Sequence, residues 1–335
     1  MYDAIIQVPF RYHSKVFGFI NMQKKSVSLV LGSGAARGLA HIGVIEWLDE
    51  HGYRIESIAG ASMGALVGGI YAAGELDSYK QWVLALEKMD VIRFLDLSFS
   101  SEGLFKGDRV IDALRNMVGE CNIEELPLSY TAVACDLDRR REVWFTDGPL
   151  FDAIRASIAI PTVFTPHRYR GMILLDGGLL NPVPIAPTFK DRTDLTIAVD
   201  LNAISDSGSI PENKARSKQT SGETASRHAI VQRFLDRIQN GIQNSIQKNI
   251  EGRHDSELGL YDLLYSAFET MQNAISSMKL ATYAPDVRIE IPRRFCKAYE
   301  FHRAAELIEL GQTMAEKAMT SWNGADRSKP ADSGD

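Results

Sequence analysis

Between the apolar pair Ile58-Ala59 and the helix-type run Ala65-Leu-Val-Gly-Gly-Ile-Tyr71, the chain carries Gly60-Ala-Ser-Met-Gly64. Few folds accommodate that order. A strand must stop, the backbone must turn sharply and a helix must begin at once, which is the pattern of a nucleophile elbow. Gly60 and Gly64 lack a Cβ, so the turn can tighten until the Ser62 hydroxyl stands clear of it. The helix that follows aims its first N–H groups at the same place. Taken alone, the motif is also compatible with a glycine-rich turn bearing a surface serine.

Two further stretches change that balance. Gly32-Ser-Gly-Ala-Ala-Arg-Gly38 lies between a β-type run, Ser26–Leu31, and a helix-type run, Leu39–Leu48. Backbone amides of such a loop can approach an oxyanion closely, and each preorganised donor of this kind contributes roughly 3 to 4 kcal/mol to acyl transfer. The amides of Gly34 and Ala35 are the candidate donors, with Met63 as a helper. Gly32, Ser33, Arg37 and Gly38 complete the loop. The run Met172–Leu175 reads as a strand ending at Asp176-Gly177-Gly178. A lone Asp-Gly between apolar runs is usually a turn. Here a glycine loop, an elbow serine and a strand-end aspartate follow in an order that places all three at the carboxyl edge of one sheet, where ligand sites of open α/β sheets lie.

The rest of the chain supports such a sheet. Helical patterns are expected around Asp77–Lys88, at Asp108–Val118 and from Pro149 towards Pro161. Tyr130–Cys135 and Glu142–Thr146 read as a hairpin across Asp136–Arg141, and Leu195–Asp200 as a further strand. Strands alternating with helices imply an α/β sandwich with a largely parallel sheet. Ala203–His228 is crowded with small polar and charged residues and reads as an exposed, flexible loop. Ile230, Phe234, Ile238, Ile242, Ile246 and Ile250 then recur every fourth residue, an amphipathic helix that packs on the core or serves as a lid or membrane-facing element. A second helix, Leu258–Leu280, carries Tyr261, Leu264, Phe268, Met271, Ile275 and Met278. Asp286–Ile291 reads as a strand, and Phe301–Met319 as the last helix. The expected division is an N-terminal extension over 1–26, a catalytic domain formed by 27–202 and 258–320, an insertion at 203–257 and a disordered tail at 321–335. Met22, just before the first strand, is an alternative start.

Composition excludes several classes. A net charge of -6 argues against an electrostatic nucleic-acid binder. Cys121, Cys135 and Cys296 are odd in number and widely spaced, which suggests neither a disulfide framework nor a zinc site and fits a reducing cytoplasm. Residues 1–25 have no continuous apolar core and do not read as a signal peptide. The weakly polar stretch Ser57–Gly74 is rich in Gly, Ala and Ser, short of the ~20 strongly apolar residues of a membrane span.

Together these motifs resemble the patatin-like phospholipases, most closely their bacterial neuropathy-target-esterase-related, RssA-type branch, from Val27 to Met319. The family's glycine loop matches Gly32–Gly38 with Arg37 at its basic position, its elbow matches Gly60–Gly64, and its Asp-Gly-Gly/Ala element matches Asp176–Gly178. Arg155–Pro161, Phe164-Thr-Pro166, Asn181-Pro-Val-Pro184 and Phe301–Ile308 are similar too. Ser33 and Ala35 depart from the more uniform glycine run of much of the family. The resemblance implies a patatin-like three-layer α/β/α sandwich with a mainly parallel central sheet. It also implies a serine acyl hydrolase, a phospholipase, lysophospholipase or esterase, in which Ser62 is the nucleophile and Asp176 takes its proton directly. No cofactor or metal is implied. The expected partners are a phospholipid, lysophospholipid or other fatty-acyl ester, with peripheral contact at the inner membrane surface through 229–251. Arg37 has two readings, holding the loop or meeting a lipid phosphate. Rival readings are a Ser-His-Asp triad drawing on His228, His254 or His302, and a patatin-fold regulator acting through partners recruited by the insertion. A dinucleotide loop would need glycine at position 37, and a P-loop would need Gly-Lys-Ser/Thr, which is absent.

Overall fold

Ser26-Val-Ser-Leu-Val-Leu31 forms β1, buried along its whole length, as a strand with neighbours on both edges and cover on both faces must be. In the computed structural model, which describes residues 25–87, 105, 107–161, 163–203 and 260–327, β1 pairs in parallel with β2 (Arg54–Ala61) on one edge and β7 (Leu195–Ala203) on the other. Beyond β2 lies β3 (Ser129–Asp136), and beyond β7 lies β8 (Val287–Pro292), both parallel to their neighbours. Five strands thus run in one direction. β4 (Arg141–Phe145) returns antiparallel along β3, forming the expected hairpin. β5 (His167–Tyr169) and β6 (Met172–Asp176) add an antiparallel pair next to β3.

Side chains of β1 alternate between two unequal layers, as the period of a strand requires. Val27, Leu29 and Leu31 enter the larger core. There they meet α1 (Ala40–Glu50), α2 (Met63–Ala72), α5 (Leu150–Ser157) and α7 (Ala304–Arg327), with α3 (Leu76–Leu84) and α4 (Asp108–Val118) extending the same layer. Val30 points the other way, to a smaller cluster with Val183, Ile185, Ala198 and Leu280. α6 (Leu260–Thr282) contributes Leu280 to that layer. No helix among the described residues is long and apolar enough to cross a membrane.

One expectation needs correction. The last helix does not stop near Met319 but continues to Arg327, past the boundary expected for the tail at 321. Trp322 packs against the core and Lys25 Nζ stands 4.5 Å above its ring, so the chain gains a reason to stay helical beyond the polar composition of its end. α6 presents an unusual face to the core. Amphipathic helices ordinarily bury their apolar face, yet α6 buries Glu269, Gln272 and Ser276 and exposes Leu264, Met271 and Met278. Glu269 and Gln272 have partners in the loops at the ends of β1 and β6, described below. The expectations for residues 1–24, for the helix over Ile230–Ile250, for membrane contact through 229–251 and for His228 and His254 lie outside the described residues.

Candidate active site

β2 ends at Ala61 and α2 begins at Met63, so Ser62 alone makes the turn, at φ 55° and ψ -123°. A positive φ is strained for a residue with a Cβ and persists only when its surroundings impose it, at a cost on the order of 1–3 kcal/mol. Here three bonds impose it. The Ser62 N–H donates to Ser157 Oγ at 2.9 Å, the Ser157 hydroxyl donates onward to the Val133 carbonyl at 2.6 Å, and the Leu66 N–H donates to the Ser62 carbonyl at 3.0 Å. The flanking glycines are needed for close approach: a Cβ on Gly60 would overlap the backbone of Gly64, and one on Gly64 would overlap the carbonyl of Leu31.

Strand registry brings Asp176 to the same point. Residues 132–136 of β3 pair with β4 on one edge. On the other edge Val133 pairs with Ala61 of β2, and the next residue, Ala134, pairs with Asp176 of β6. β2 and β6 therefore run towards each other along one edge of β3 and stop at consecutive residues. Ser62 and the glycine loop do lie at the carboxyl ends of parallel strands, as expected, but Asp176 arrives from the opposite direction on an antiparallel one.

The Asp176 side chain is buried, with Oδ1 accepting from the Gly178 N–H at 2.7 Å and Oδ2 without a partner among the described residues. Burial raises its pKa to about 7, opposed by the nearby Ser62 hydroxyl and the Gly178 amide. No histidine among the described residues figures among these influences. His41 lies beneath the glycine loop instead: its Nε2 donates to the Gly32 carbonyl at 2.8 Å, and burial lowers its pKa to about 4, so it is neutral. His302 sits in the short turn Phe301–Arg303.

In the glycine loop, four amides are already engaged. Gly32 donates to Val199 (3.0 Å), Ser33 to Pro182 (2.8 Å), Ala36 to Ala298 (3.0 Å) and Arg37 to Gly34 (3.1 Å). Among the described residues, the N–H groups of Gly34, Ala35 and Met63 meet no backbone acceptor. Ala35, Met63 and Ser62 open onto a cavity of about 900 Å³ whose walls include Leu66, Trp82, Val83, Leu114, Ile158 and Phe164. Gly34 is not on its wall, and Gly38 packs beneath Met63, where a Cβ would overlap the Met63 side chain. Volume and apolar lining are those of a site for a largely apolar ligand.

Arg37 is buried and bonded. Its Nη2 donates to Asn202 Oδ1 at 3.0 Å and to Glu269 Oε1 at 2.8 Å, while Glu269 Oε2 accepts from Arg293 at 2.8 Å. Asn202 in turn donates to the Ser33 carbonyl, and Gln272 donates to Ser33 Oγ, both at 3.0 Å. Gln272 also presses on the Asp-Gly-Gly turn, since a Cβ on Gly178 would overlap its Nε2. On the far side of that turn, Gly177 passes over the Val133 carbonyl with no room for a side chain. Sequence reasoning missed Ser157, Asn202, Glu269 and Gln272. Ser157 stood inside the block Arg155–Pro161 without a role. Glu269, Gln272 and Ser276 form a polar stripe at i, i+3 and i+7 on a helix read for its apolar residues, and that spacing was the available signal.

A family model described as patatin-like phospholipase matches residues 29–189, from β1 through the elbow and the Asp-Gly-Gly turn. Similar over almost its whole length is an uncharacterized NTE family protein of Mycobacterium tuberculosis, 42% identical over 88% of this chain and 92% of that protein. The lysophospholipase nte1 of Emericella nidulans is 32% identical over 54% of this chain and 12% of its own length. Patatin-like phospholipase domain-containing protein 7 of Mus musculus is 30% identical over 61% of this chain and 16% of its own length. The glycine loop, elbow and aspartate turn thus sit within the matched region of a chain that belongs to the NTE-related branch of the patatin-like phospholipase family.

Proposed function

We propose that the protein is a serine acyl hydrolase that cleaves fatty-acyl esters of lipids, a phospholipase or lysophospholipase, through Ser62 and Asp176 and a covalent acyl-enzyme. The observation that carries this reading is the buried Asp176 carboxylate, which meets the elbow serine where β2 and β6 converge and has a pKa of about 7. At its ordinary 3.8 an aspartate is a weak base, whereas one near 7 is matched to proton transfer at neutral pH. Asp176 takes the Ser62 proton as Oγ attacks the ester carbonyl. The developing oxyanion is held by free amides, for which Ala35 and Met63 on the cavity wall, with Gly34, are the candidates. Collapse returns the proton from Asp176 to the departing alkoxide and leaves the acyl group on Ser62. Asp176 then deprotonates a water, whose attack releases the fatty acid and restores the serine.

Fluorophosphonate labelling combined with p-nitrophenyl ester and lysophospholipid hydrolysis tests the reading. Ser62→Ala should abolish both labelling and turnover while retaining the wild-type circular dichroism spectrum. A folded Ser62→Ala protein that still hydrolyses esters at the wild-type rate defeats the mechanism.

A further inference from the structure

The cavity that Ser62 lines combines apolar walls with four cationic side chains. After β8 the chain makes a short turn, Arg293–Phe295, and runs along the mouth of the cavity to Phe301. β8 is parallel to β7, β1 and β2, so its carboxyl end delivers this segment to the edge where the glycine loop lies, and the Ala36 N–H fastens it there by donating to the Ala298 carbonyl. Arg303 holds it from behind through the Phe295 carbonyl at 2.8 Å.

Four cations line the cavity, Arg37, Arg293, Arg294 and Lys297, against two carboxylates, Glu269 and Glu300. Glu269 is shared by Arg37 and Arg293, and Glu300 is paired with Arg303. Arg294 and Lys297 are left over. Both are exposed, neither has an ion-pair partner among the described residues, and Lys297 has only the Tyr299 ring, 6.0 Å from its Nζ. Two cations without an ion-pair partner among the described residues, in a chain of net charge -6, run against the overall field of the protein, and they attract anions to the cavity.

We propose that Arg294 and Lys297 form a headgroup subsite for phosphate, so that the preferred ester places a phosphate-bearing, net-anionic headgroup at these two exposed cations, its carbonyl at Ser62 and its acyl chain against the apolar wall. This inference rests on the reading of the cavity as an acyl-ester site. It relocates the role of phosphate contact from Arg37, which is buried and ion-paired to Glu269, to the two exposed cations that lack an ion-pair partner among the described residues.

Equilibrium binding to the full chain tests the subsite without requiring turnover. Dodecyl phosphate and dodecylphosphocholine, each below its micellar concentration, are titrated calorimetrically into the wild type and into Arg294→Gln/Lys297→Gln. The wild type should bind the alkyl phosphate about tenfold more tightly, the order that two solvent-exposed charge contacts supply. That preference should shrink as salt rises. The double substitution should abolish it, and each single substitution should remove about a third to a half of it on a logarithmic scale. Equal affinity for the two probes, or an undiminished preference in single or double variants that unfold at the wild-type temperature, overturns the subsite. So does inorganic phosphate that displaces dodecyl phosphate at equal concentration, because the site would then recognise a free anion rather than a lipid headgroup. Ester hydrolysis that depends on Ser62 without headgroup preference rejects the subsite alone. Headgroup preference with no Ser62 labelling rejects the hydrolase reading and leaves the binding site standing.

Discussion

At the scale of single residues, the proposed chemistry rests on a carboxylate kept where it is least comfortable. Asp176 has an ordinary pKa of 3.8 and a folded one of about 7. Its contribution to folding is therefore complete below pH 3.8 and is lost as pH rises through 7, since ionisation is disfavoured only in the folded state. Activity has the opposite slope, because the base works ionised. The pH profile of kcat/KM for a p-nitrophenyl ester should rise with an inflection near 7. Asp176→Asn keeps the shape and removes both effects. It should lower turnover at least ~10²-fold and, above pH 7, unfold at a higher temperature than the wild type, with the gap opening between pH 4 and 7. An inflection near 4 would show that Asp176 keeps its ordinary acidity in the fold, and a folded Asp176→Asn protein at the wild-type rate would show that Asp176 is not the base. Ser62 is a second strained group, at positive φ. The residue that fixes its amide, Ser157, comes from α5, a different element altogether.

Elements were easier to read than the face each one presents. β1, α4, the β3–β4 hairpin and the strand leading to Asp176 lie where turn chemistry and periodicity put them, because each is decided by local sequence: a run of apolar residues, a helical repeat, a polar turn. The orientation of α6 was not legible, because it depends on what the helix meets. Residues 264, 271 and 278 supply an apolar stripe, yet burial goes to Glu269, Gln272 and Ser276, of which Glu269 meets Arg37 and Gln272 meets Ser33 and the Asp-Gly-Gly turn. A helix that buries its polar face against two loops acts as a brace between them. Gln272 is the residue that touches both, so it is a positioning residue. Gln272→Ala should lower kcat about tenfold on a short neutral ester with KM nearly unchanged, and lower stability by about 1 kcal/mol, the worth of a buried hydrogen bond. If KM rises while kcat holds, Gln272 contacts substrate instead of bracing the loops.

For the whole molecule, the segment matched by the family model is not a complete structural unit. Residues 29–189 contain the loop, the elbow and the aspartate, but one edge of β1 is paired by β7 at 195–203, which β8 at 287–292 then flanks. The last helix closes the arrangement. α7 crosses α1 so closely that a Cβ on Gly43 would overlap the Ile308 carbonyl, and one on Gly311 would overlap the carbonyl of Ala40. Two glycines far apart in sequence thus make a single contact, which no local pattern reveals. α1 starts immediately after the glycine loop, at Ala40, so its position fixes where the loop's amides point. Gly43→Ala should therefore do more than remove packing. Its methyl meets backbone, which cannot rotate away, and the helices must separate at a cost of about 1–3 kcal/mol. Esterase activity should fall with stability, measured at a temperature where the variant remains folded. Gly52→Ala is the comparison: Gly52 lies just beyond the same helix at φ 78°, with nothing within 4 Å of its would-be Cβ. It should lose about 1 kcal/mol to backbone strain and keep the wild-type rate. Equal rates in the two variants would mean that α7 stabilises the fold without positioning the loop.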